Sequence, residues 1–307
     1  MRLALLTPTY GAHLEHFRLL RESLLAAGCT WPHLVVVQTE DLPALRRAGL
    51  DAQVQLVASA EVLPPAVEQA RQRERQRAAP WRRLRRSLNK RTGWCADASA
   101  DGWHAQQIVK LGAVLHFDAE VLISLDSDVV VCGAMPEQQF VRNGQVALVS
   151  ARSEQPWMPH WNAAAERLLK LPPAADGVHN YVHHPFVFDA TTLRALHAWL
   201  EAEYGQPWWQ TLLSQRAGQL SEFTVYGMFA RHRRALQGLF ETTAAGGARW
   251  VYTGEDRSQT ASIIQQCFAD PATQYLVLQA SRHHPVEPYA PLIRQLLASG
   301  AGQQLAQ

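Results

Sequence analysis

The chain has 307 residues, of which 47% are hydrophobic and 18% are charged, and its formal net charge is +2. This composition excludes a disordered, collagen-like or coiled-coil protein and indicates a globular chain long enough to bury a full core. No apolar run approaches the roughly 20 residues of a membrane-spanning helix, and the N-terminus lacks the pattern of a secretory signal. The four cysteines are scattered without a C-x-x-C pair, which favours buried free thiols and a cytoplasmic location.

Short apolar runs and amphipathic stretches alternate along the chain, which is typical of an α/β fold with a parallel sheet. The apolar runs predict strands at 3–6, 34–37, 54–57, 121–125, 146–150, 186–188 and 275–278. The amphipathic stretches predict helices at 13–27, 103–117, 191–204, 258–268 and 287–298. No internal repeat divides this series, so we expect a single domain over residues 1–307.

The first predicted strand ends in Thr7-Pro8-Thr9-Tyr10 rather than in a glycine-rich turn. The dinucleotide-binding fingerprint and the P-loop are therefore both missing from their expected place. In open α/β sheets the ligand lies outside the carboxyl ends of the strands. We therefore expect Thr7, Thr9 and the residues after Leu125 to surround one cleft.

Two carboxylates follow the predicted strand at 121–125. Asp126 and Asp128 are spaced so that both can reach one ion. Oxygen ligands of this kind suit Mg²⁺ or Mn²⁺, which typically take one or two carboxylates plus substrate phosphates. The alternative is that both residues only shape the turn after the strand.

Five segments, in this order, give the chain a resemblance to GT-A-type glycosyltransferases, in particular to a little-characterised bacterial group associated with surface polysaccharide synthesis. The segments are 7–10 (TPTY), 103–111 (WHAQQIVKL), 125–128 (LDSD), 183–189 (HHPFVFD) and 221–227 (SEFTVYG). The resemblance implies a GT-A-like (Rossmann-like) αβα sandwich with a mostly parallel central sheet. Residues 1–150 would form its nucleotide-sugar-binding half and residues 151–307 its acceptor-binding half.

The resemblance also implies a metal-dependent enzyme that moves a sugar from a UDP- or GDP-sugar to a hydroxyl of a saccharide or lipid-linked acceptor. Such a reaction would serve cell-surface polysaccharide or glycoconjugate synthesis. Mn²⁺ or Mg²⁺ on Asp126 and Asp128 would stabilise the leaving diphosphate as a Lewis acid. Donor contacts are then expected from Thr7, Thr9, Tyr10, Gln106, Lys110, Asp126 and Ser127. The alternatives are ordinary turn threonines and a solvated lysine on a helix.

An inverting transfer needs a base to deprotonate the acceptor hydroxyl, and Glu222 and Asp189 are the candidate catalytic residues. Ser221 can instead cap a helix with Glu222 in its first turn. Asp189 is equally suited to cap the helix predicted at 191–204, and the cap is the favoured interpretation.

Histidines and tryptophans complete the predicted site. His284 is the candidate third metal ligand, because its neutral imidazole can join two carboxylates. Flat aromatic rings suit the apolar faces of sugars. Acceptor contacts are accordingly predicted at Trp157, His160, Trp161 and His184, with core packing as the alternative for the tryptophans.

Residues 71–91 carry a net charge of +9, which leaves −7 for the rest of the chain. Trp81, Leu84 and Leu88 have helical spacing within this segment, a pattern typical of a basic helix on an anionic surface. Such a helix would hold the enzyme peripherally on the inner face of a membrane. A solvated loop, a lid over the donor phosphates and a nucleic-acid site are the alternatives. The acidic remainder disfavours polyanions, so no nucleic-acid partner is expected.

Two other functions fit parts of the same pattern. A strand that runs into Asp126 also suits a phosphatase of the haloacid dehalogenase type, with Asp126 as nucleophile. That motif usually lies near the start of a chain, whereas here it follows 125 residues, and only Lys170 and 255–256 offer the remaining parts. The non-enzymatic alternative is a nucleic-acid or anionic-membrane binding module built on residues 71–91.

Overall fold

A computed structural model describes residues 1–77, 80–81, 84, 87, 102–173, 177–215, 218–243, 246–251, 257–280 and 285–300. The helices are α1 (Leu14–Ala26), α2 (Leu42–Arg46), α3 (Ser59–Val62), α4 (Pro65–Gln76), α5 (Gly102–Gly112), α6 (Met158–Leu168), α7 (Ala190–Tyr204), α8 (Trp208–Leu213), α9 (Glu222–Met228), α10 (Arg257–Ala269) and α11 (Ala290–Ala298). The strands are β1 (Leu3–Thr9), β2 (His33–Val37), β3 (Val54–Ala58), β4 (Val121–Ser124), β5 (Val129–Val131), β6 (Val141–Arg142), β7 (Gln145–Val149), β8 (Ala151–Arg152), β9 (His179–Asn180), β10 (Phe186–Asp189), β11 (Leu239–Thr242), β12 (Gly247–Val251) and β13 (Thr273–Leu278).

The central sheet has five strands in the order β10-β4-β1-β2-β3. All its neighbouring pairs are parallel except β10 with β4, which is antiparallel. Every residue of β1, β2, β4 and β10 is buried. Both faces of the sheet are therefore covered, as near-continuous apolar strands require. The predicted α/β fold with a mostly parallel central sheet is confirmed.

All the predicted strands and helices are present, with displaced ends. The helix predicted to reach residue 117 ends at Gly112 and continues as a 3-10 turn over Ala113–Leu115. The last helix begins at Ala290 rather than at 287, with a proline in its first turn, where the fixed φ of proline suits a helix start. Several strands were not predicted, because they have only two or three residues or because polar residues or glycine interrupt their apolar runs.

The small sheets place the acidic pair at a junction. After β4 the chain passes through residues 126–128 and continues as β5, which pairs antiparallel with β13. At the same edge β10 begins beside the end of β4, because Phe186 pairs with Ser124. Residues 126–128, 183–185 and 279–280 therefore meet at the carboxyl edge of β4.

The core consists of two hydrophobic clusters. The main cluster contains residues from both halves of the chain, from Leu3 to Val277. The second packs β5 and β13 against α10 and α11. Cys29, Cys132 and Cys267 are free and buried, as predicted, while Cys95 lies outside the described residues. In the part of the chain that the structure describes, no helix is long and apolar enough to cross a membrane.

Ten of the 21 residues in the basic segment at 71–91, Leu88 among them, lie outside the described residues. Its first part belongs to α4, and the side chains of Trp81 and Leu84 are exposed. Membrane contact through this segment stays a prediction.

Candidate functional site

A buried lysine organises the carboxyl edge of β4. The Lys110 side chain is only 3% exposed, and its Nζ lies 2.8 Å from Asp126 Oδ1 and 2.9 Å from Glu222 Oε1. A buried ammonium is strongly destabilising unless it is paired. Burial lowers the pKa of Lys110, but the charges of Asp126 and Glu222 outweigh this effect and raise the pKa above its ordinary value. Lys110 is therefore a fixed positive charge between two acids.

Helix α5 holds Lys110 in place by its packing. Its neighbours Ile108, Val109 and Leu111 are all buried, and the Lys110 Nζ lies 4.5 Å from the centre of the Phe223 ring, which adds a cation–π contact. Gln106, the predicted donor contact one turn earlier, is half-buried on the same helix.

Asp126 is the acid of this group that faces outward. Its side chain is 26% exposed, and its Oδ2 lies 3.6 Å from His184 Nε2. Burial raises the pKa of Asp126, but Lys110 and His184 oppose this effect and the pKa falls below its ordinary value. Burial lowers the pKa of His184 to about 4, so its imidazole is neutral at pH 7. The structure thus brings His184 next to the predicted metal ligand.

Asp128 ties the acidic turn to the C-terminal strand. Its Oδ2 accepts a hydrogen bond from the Ala280 amide at 2.9 Å, and its carbonyl accepts one from the Leu278 amide at 2.9 Å. Burial and the nearby charge of Asp126 raise the pKa of Asp128 to about 7. The two aspartates therefore share one electrostatic site, as their spacing predicts.

Tyr10 and Ser127 are linked by a histidine that sequence reasoning missed. The Tyr10 hydroxyl lies 2.8 Å from His13 Nε2, and the Ser127 hydroxyl lies 3.4 Å from His13 Nδ1. Burial, together with the charges of Asp128 and Asp41, raises the pKa of Tyr10. The two predicted donor contacts thus lie on one side of the acidic pair.

Asp41 was also missed, and Gly11 is the signal that could have revealed it. The Gly11 amide donates a hydrogen bond to Asp41 Oδ2 at 2.7 Å. A Cβ at position 11 would lie 2.8 Å from Asp41 Oδ1, so only glycine allows this close approach. The contact anchors the turn that carries Tyr10.

The two predicted threonines differ in their surroundings. The buried Thr7 hydroxyl donates to the Leu125 carbonyl at 2.8 Å and therefore accepts from His33 Nε2 at 2.9 Å. Thr7 thus joins three strands behind the cleft. Thr9 ends β1, and its buried hydroxyl has no hydrogen-bond partner among the described residues. Thr9 is therefore the better placed of the two for a donor contact.

The structure treats the two candidate bases differently. Ser221 caps α9 by accepting the Thr224 amide at 3.3 Å, and Glu222 in the first turn also reaches Lys110. Asp189 caps α7 by accepting the Thr192 amide at 2.7 Å. It pairs with Val121, at the opposite end of β4 from the acidic pair. The structure brings Glu222 to the site and separates Asp189 from it.

Three of the four predicted acceptor residues lie at the start of α6, whereas His184 lies beside Asp126. Trp157 precedes this helix and is 44% exposed, and His160 in its first turn is also exposed. Trp161 is half-buried, and its Nε1 donates to the Gly218 carbonyl at 2.9 Å. Helix α6 packs against α9, which carries Glu222. Their contact with an acceptor stays a prediction.

The acidic pair is chemically suited to a hard divalent cation. His284, the predicted third ligand, lies outside the described residues, and within the described ones no group of three or more His, Cys, Asp or Glu side chains is arranged to hold a metal. Two carboxylates nevertheless suffice for Mg²⁺ or Mn²⁺ when substrate phosphates supply further ligands. Asp126 and Glu222 also share the ammonium of Lys110, and the charge of Asp126 acts on the nearby Asp128, so added positive charge is favoured there.

A family model described as a family of unknown function, DUF6492, matches residues 8–296. The chain belongs to this family. The matched range of this DUF6492 protein includes every site residue described above except Thr7. No curated protein matches it in sequence.

Two solved glycosyltransferases are similar to this DUF6492 protein in structure. Mouse xyloside xylosyltransferase 1 in its apo form is 15% identical with a TM-score of 0.48, covering 92% of this chain and 99% of its own. The galactosyltransferase LgtC with donor and acceptor sugar analogues is 8% identical with a TM-score of 0.48, covering 96% and 95%. An active-site mutant of LgtC is 10% identical with a TM-score of 0.49 and the same coverage. At such values these likenesses assign no activity to this chain.

Proposed function

We propose that this DUF6492 protein transfers a sugar from a nucleotide-sugar donor to a hydroxyl acceptor, with Mg²⁺ or Mn²⁺ held by Asp126 and Asp128. The observation that carries the proposal is the charge arrangement at the carboxyl edge of β4, where Asp126 and Glu222 share the buried ammonium of Lys110 and the charge of Asp126 also acts on Asp128. A dianionic diphosphate would be repelled by this edge. A divalent cation between the acids and the phosphates removes the repulsion.

The residues at the carboxyl edge of β4 have different roles in the proposed transfer. A bound cation would act as a Lewis acid on the leaving diphosphate. Lys110 supplies fixed positive charge behind Asp126, and Tyr10 and Ser127 contact the donor from the β1 side. Glu222 accepts the proton of the acceptor hydroxyl in an inverting reaction, while Lys110 holds its Oε1. In this proposal the donor is a UDP- or GDP-sugar and the acceptor a saccharide or a lipid-linked saccharide of the cell surface.

The first test is ligand-induced thermal stabilisation with a panel of nucleotides and nucleotide sugars, with and without Mn²⁺. Binding to the folded state alone raises its stability, by about 2.7 kcal/mol at a ligand concentration of 100 Kd. We expect a Mn²⁺-dependent shift with one nucleoside diphosphate family and its loss in the Asp126→Ala/Asp128→Ala variant. Asp118→Asn is the matched control, because Asp118 is highly exposed. No shift with any nucleotide, together with hydrolysis of simple phosphate esters, would favour the phosphatase instead.

Glu222→Gln tests the assignment of the base. The amide oxygen can still accept the hydrogen bond from Lys110, but the side chain can no longer take a proton. We expect kcat to fall by about 10²- to 10⁴-fold, with nucleotide-induced stabilisation unchanged. An unchanged kcat would show that Glu222 only holds Lys110 in position.

A further inference from the structure

An aromatic pair and a polar groove lie side by side on the surface near Glu222. We call them together the aromatic–amide surface, which consists of Trp103, Trp161, Arg167, Gln215 and Gln219. The rings of Trp103 and Trp161 meet edge to face, with centroids 6.2 Å apart and an interplanar angle of 75°. Trp103 is 41% exposed although it begins a well-packed helix.

The groove lies next to the aromatic pair, along residues 214–215 and 218–219. It has a volume of about 360 Å³ and is lined by Arg167, Ser214, Gln215 and Gln219. The Arg167 Nη2 donates to Gln219 Oε1 at 3.2 Å, and Trp161 Nε1 donates to the Gly218 carbonyl next to it. Amide, hydroxyl and guanidinium groups therefore follow directly on two indole rings, and none of the described residues that line the groove is a carboxylate.

The same loop leads to the candidate base. Gly218 is three residues before Ser221, whose hydroxyl caps α9, and Glu222 is the first residue of that helix. Leu220 between them is buried and fixes the loop in the main core. The aromatic–amide surface is thus continuous in the chain with the residue that would receive the acceptor proton.

We propose that the aromatic–amide surface binds further sugar units of the acceptor, so that the acceptor is a saccharide chain rather than a monosaccharide. This inference rests on the proposed function. Indole rings suit the apolar C–H faces of sugars, and amide and guanidinium groups are suited to hydrogen bonds with their hydroxyls. The described lining of the groove carries the guanidinium of Arg167 and neutral polar groups, which fits a neutral or anionic chain and disfavours a basic peptide.

The experiment measures how the affinity of the full chain depends on saccharide length. The probes are malto-, cello- and chito-oligosaccharides from mono- to pentasaccharide, titrated by calorimetry and tryptophan fluorescence. In at least one series we expect the affinity to rise by about tenfold with length, which is the scale of one aromatic contact. Trp103→Ala should abolish this gain. Trp81→Ala is the matched control, because Trp81 is exposed outside this surface and its removal should leave the gain intact.

Each outcome decides the inference separately from the proposed function. A flat response to length in all three series overturns the inference, as does a gain that survives in Trp103→Ala. Stabilisation by nucleotide and Mn²⁺ without length dependence overturns this inference alone and leaves sugar transfer standing. If the affinity rises with saccharide length and loses this rise in Trp103→Ala while no nucleotide stabilises the protein, the result supports the saccharide-binding surface and contradicts the proposed sugar transfer. An unchanged unfolding temperature of the Trp103→Ala variant confirms that it is folded.

Discussion

The two ends of the β4–β10 strand pair each carry a buried or half-buried aspartate, and the two aspartates are used differently. At one end, Asp189 accepts the Thr192 amide at 2.7 Å, and its own amide donates to the Tyr226 hydroxyl at 2.8 Å. At the other end, Asp126 shares the ammonium of Lys110 with Glu222. A helix cap and a hydrogen bond to Tyr226 account for the first end, whereas the second gathers charges from three separate elements.

The difference indicates which of the two aspartates has a catalytic or binding role. The Asp189 carboxylate serves the helix that follows it, and such a cap contributes about 1 kcal/mol to stability. At the Asp126 end, burial and the nearby charge of Asp126 raise the pKa of Asp128 to about 7, and like charges at close range are destabilising. An arrangement that stability does not explain is a better candidate for chemistry than one that it does.

The largest expected effect separates the two ends by activity. Asp126→Asn keeps the shape of the side chain but removes the charge that holds the cation. We expect the rate of sugar transfer to fall by about 10³-fold, which corresponds to about 4 kcal/mol of transition-state stabilisation. The fall in rate is measured as the initial rate of sugar transfer, with Mn²⁺ and with the donor that thermal stabilisation has identified. Asp189→Asn is the matched control and should retain the rate; equal losses in both variants would remove the distinction.

The second effect concerns stability at the Asp126 end. Lys110→Met removes the ammonium and leaves two carboxylates without their partner. We expect the free energy of unfolding to fall by about 3–5 kcal/mol, as for other buried pairs that lose one member. Denaturant unfolding measures it, and Lys110→Met/Glu222→Gln should recover part of the loss. Lys170→Met is the exposed control and should change stability far less, because Lys170 pairs with Glu203 at the surface. An unchanged free energy of unfolding in Lys110→Met would mean that the ammonium makes no net contribution to stability.

The fold and the position of the acidic pair could be predicted because both are local in the sequence. Apolar runs mark β1, β2 and β4, and Asp126 and Asp128 follow the last of these directly. The three-residue strand β5 escaped because it is too brief for a periodic signal, and β12 escaped because Gly247 and Arg249 interrupt its apolar residues. The α/β class therefore came from patterns within single segments.

The partners of the acidic pair could not be predicted in the same way. Lys110 and Glu222 are 112 residues apart, and nothing in either segment specifies their contact. His13 looks like an ordinary residue before a helix, yet it contacts both Tyr10 and Ser127. Whether Asp189 could act as a base depended on which end of β4 it lies beside, and the antiparallel pairing of β10 places it beside Val121.

The third effect concerns stability as a function of pH at the hydrogen bonds behind the Asp126 end, where Thr7 joins His33 to the Leu125 carbonyl. His33 donates to Thr7, and burial lowers the pKa of His33 to about 3. Because the unfolded chain takes up this proton near pH 6.5 and the folded chain does not, stability should fall as pH drops from 6.5 toward 3. The expected slope is about 1.4 kcal/mol per pH unit for this group.

Denaturant unfolding of wild type and His33→Gln across pH 7.0 to 4.5 isolates the contribution of His33. The difference between the two proteins should shrink or reverse on acidification, because glutamine cannot take up the proton. His184 and His197, whose pKa values burial also lowers to about 4, contribute to both proteins alike. A constant difference across this range would contradict the assigned cause.

The smallest effect belongs to the Asp189 end. Asp189→Ala removes the acceptor for the Thr192 amide and should lower the free energy of unfolding by about 1 kcal/mol, within the usual range for a lost N-cap. Asp189→Ser supplies another capping oxygen and should recover most of the lost stability. Serine would not restore the transfer rate if the Asp189 carboxylate were catalytic. Thermal unfolding and transfer rates on both variants measure the two properties together. If Asp189→Ser has wild-type stability but a much lower transfer rate, Asp189 takes part in catalysis, and the two strand ends no longer differ in function.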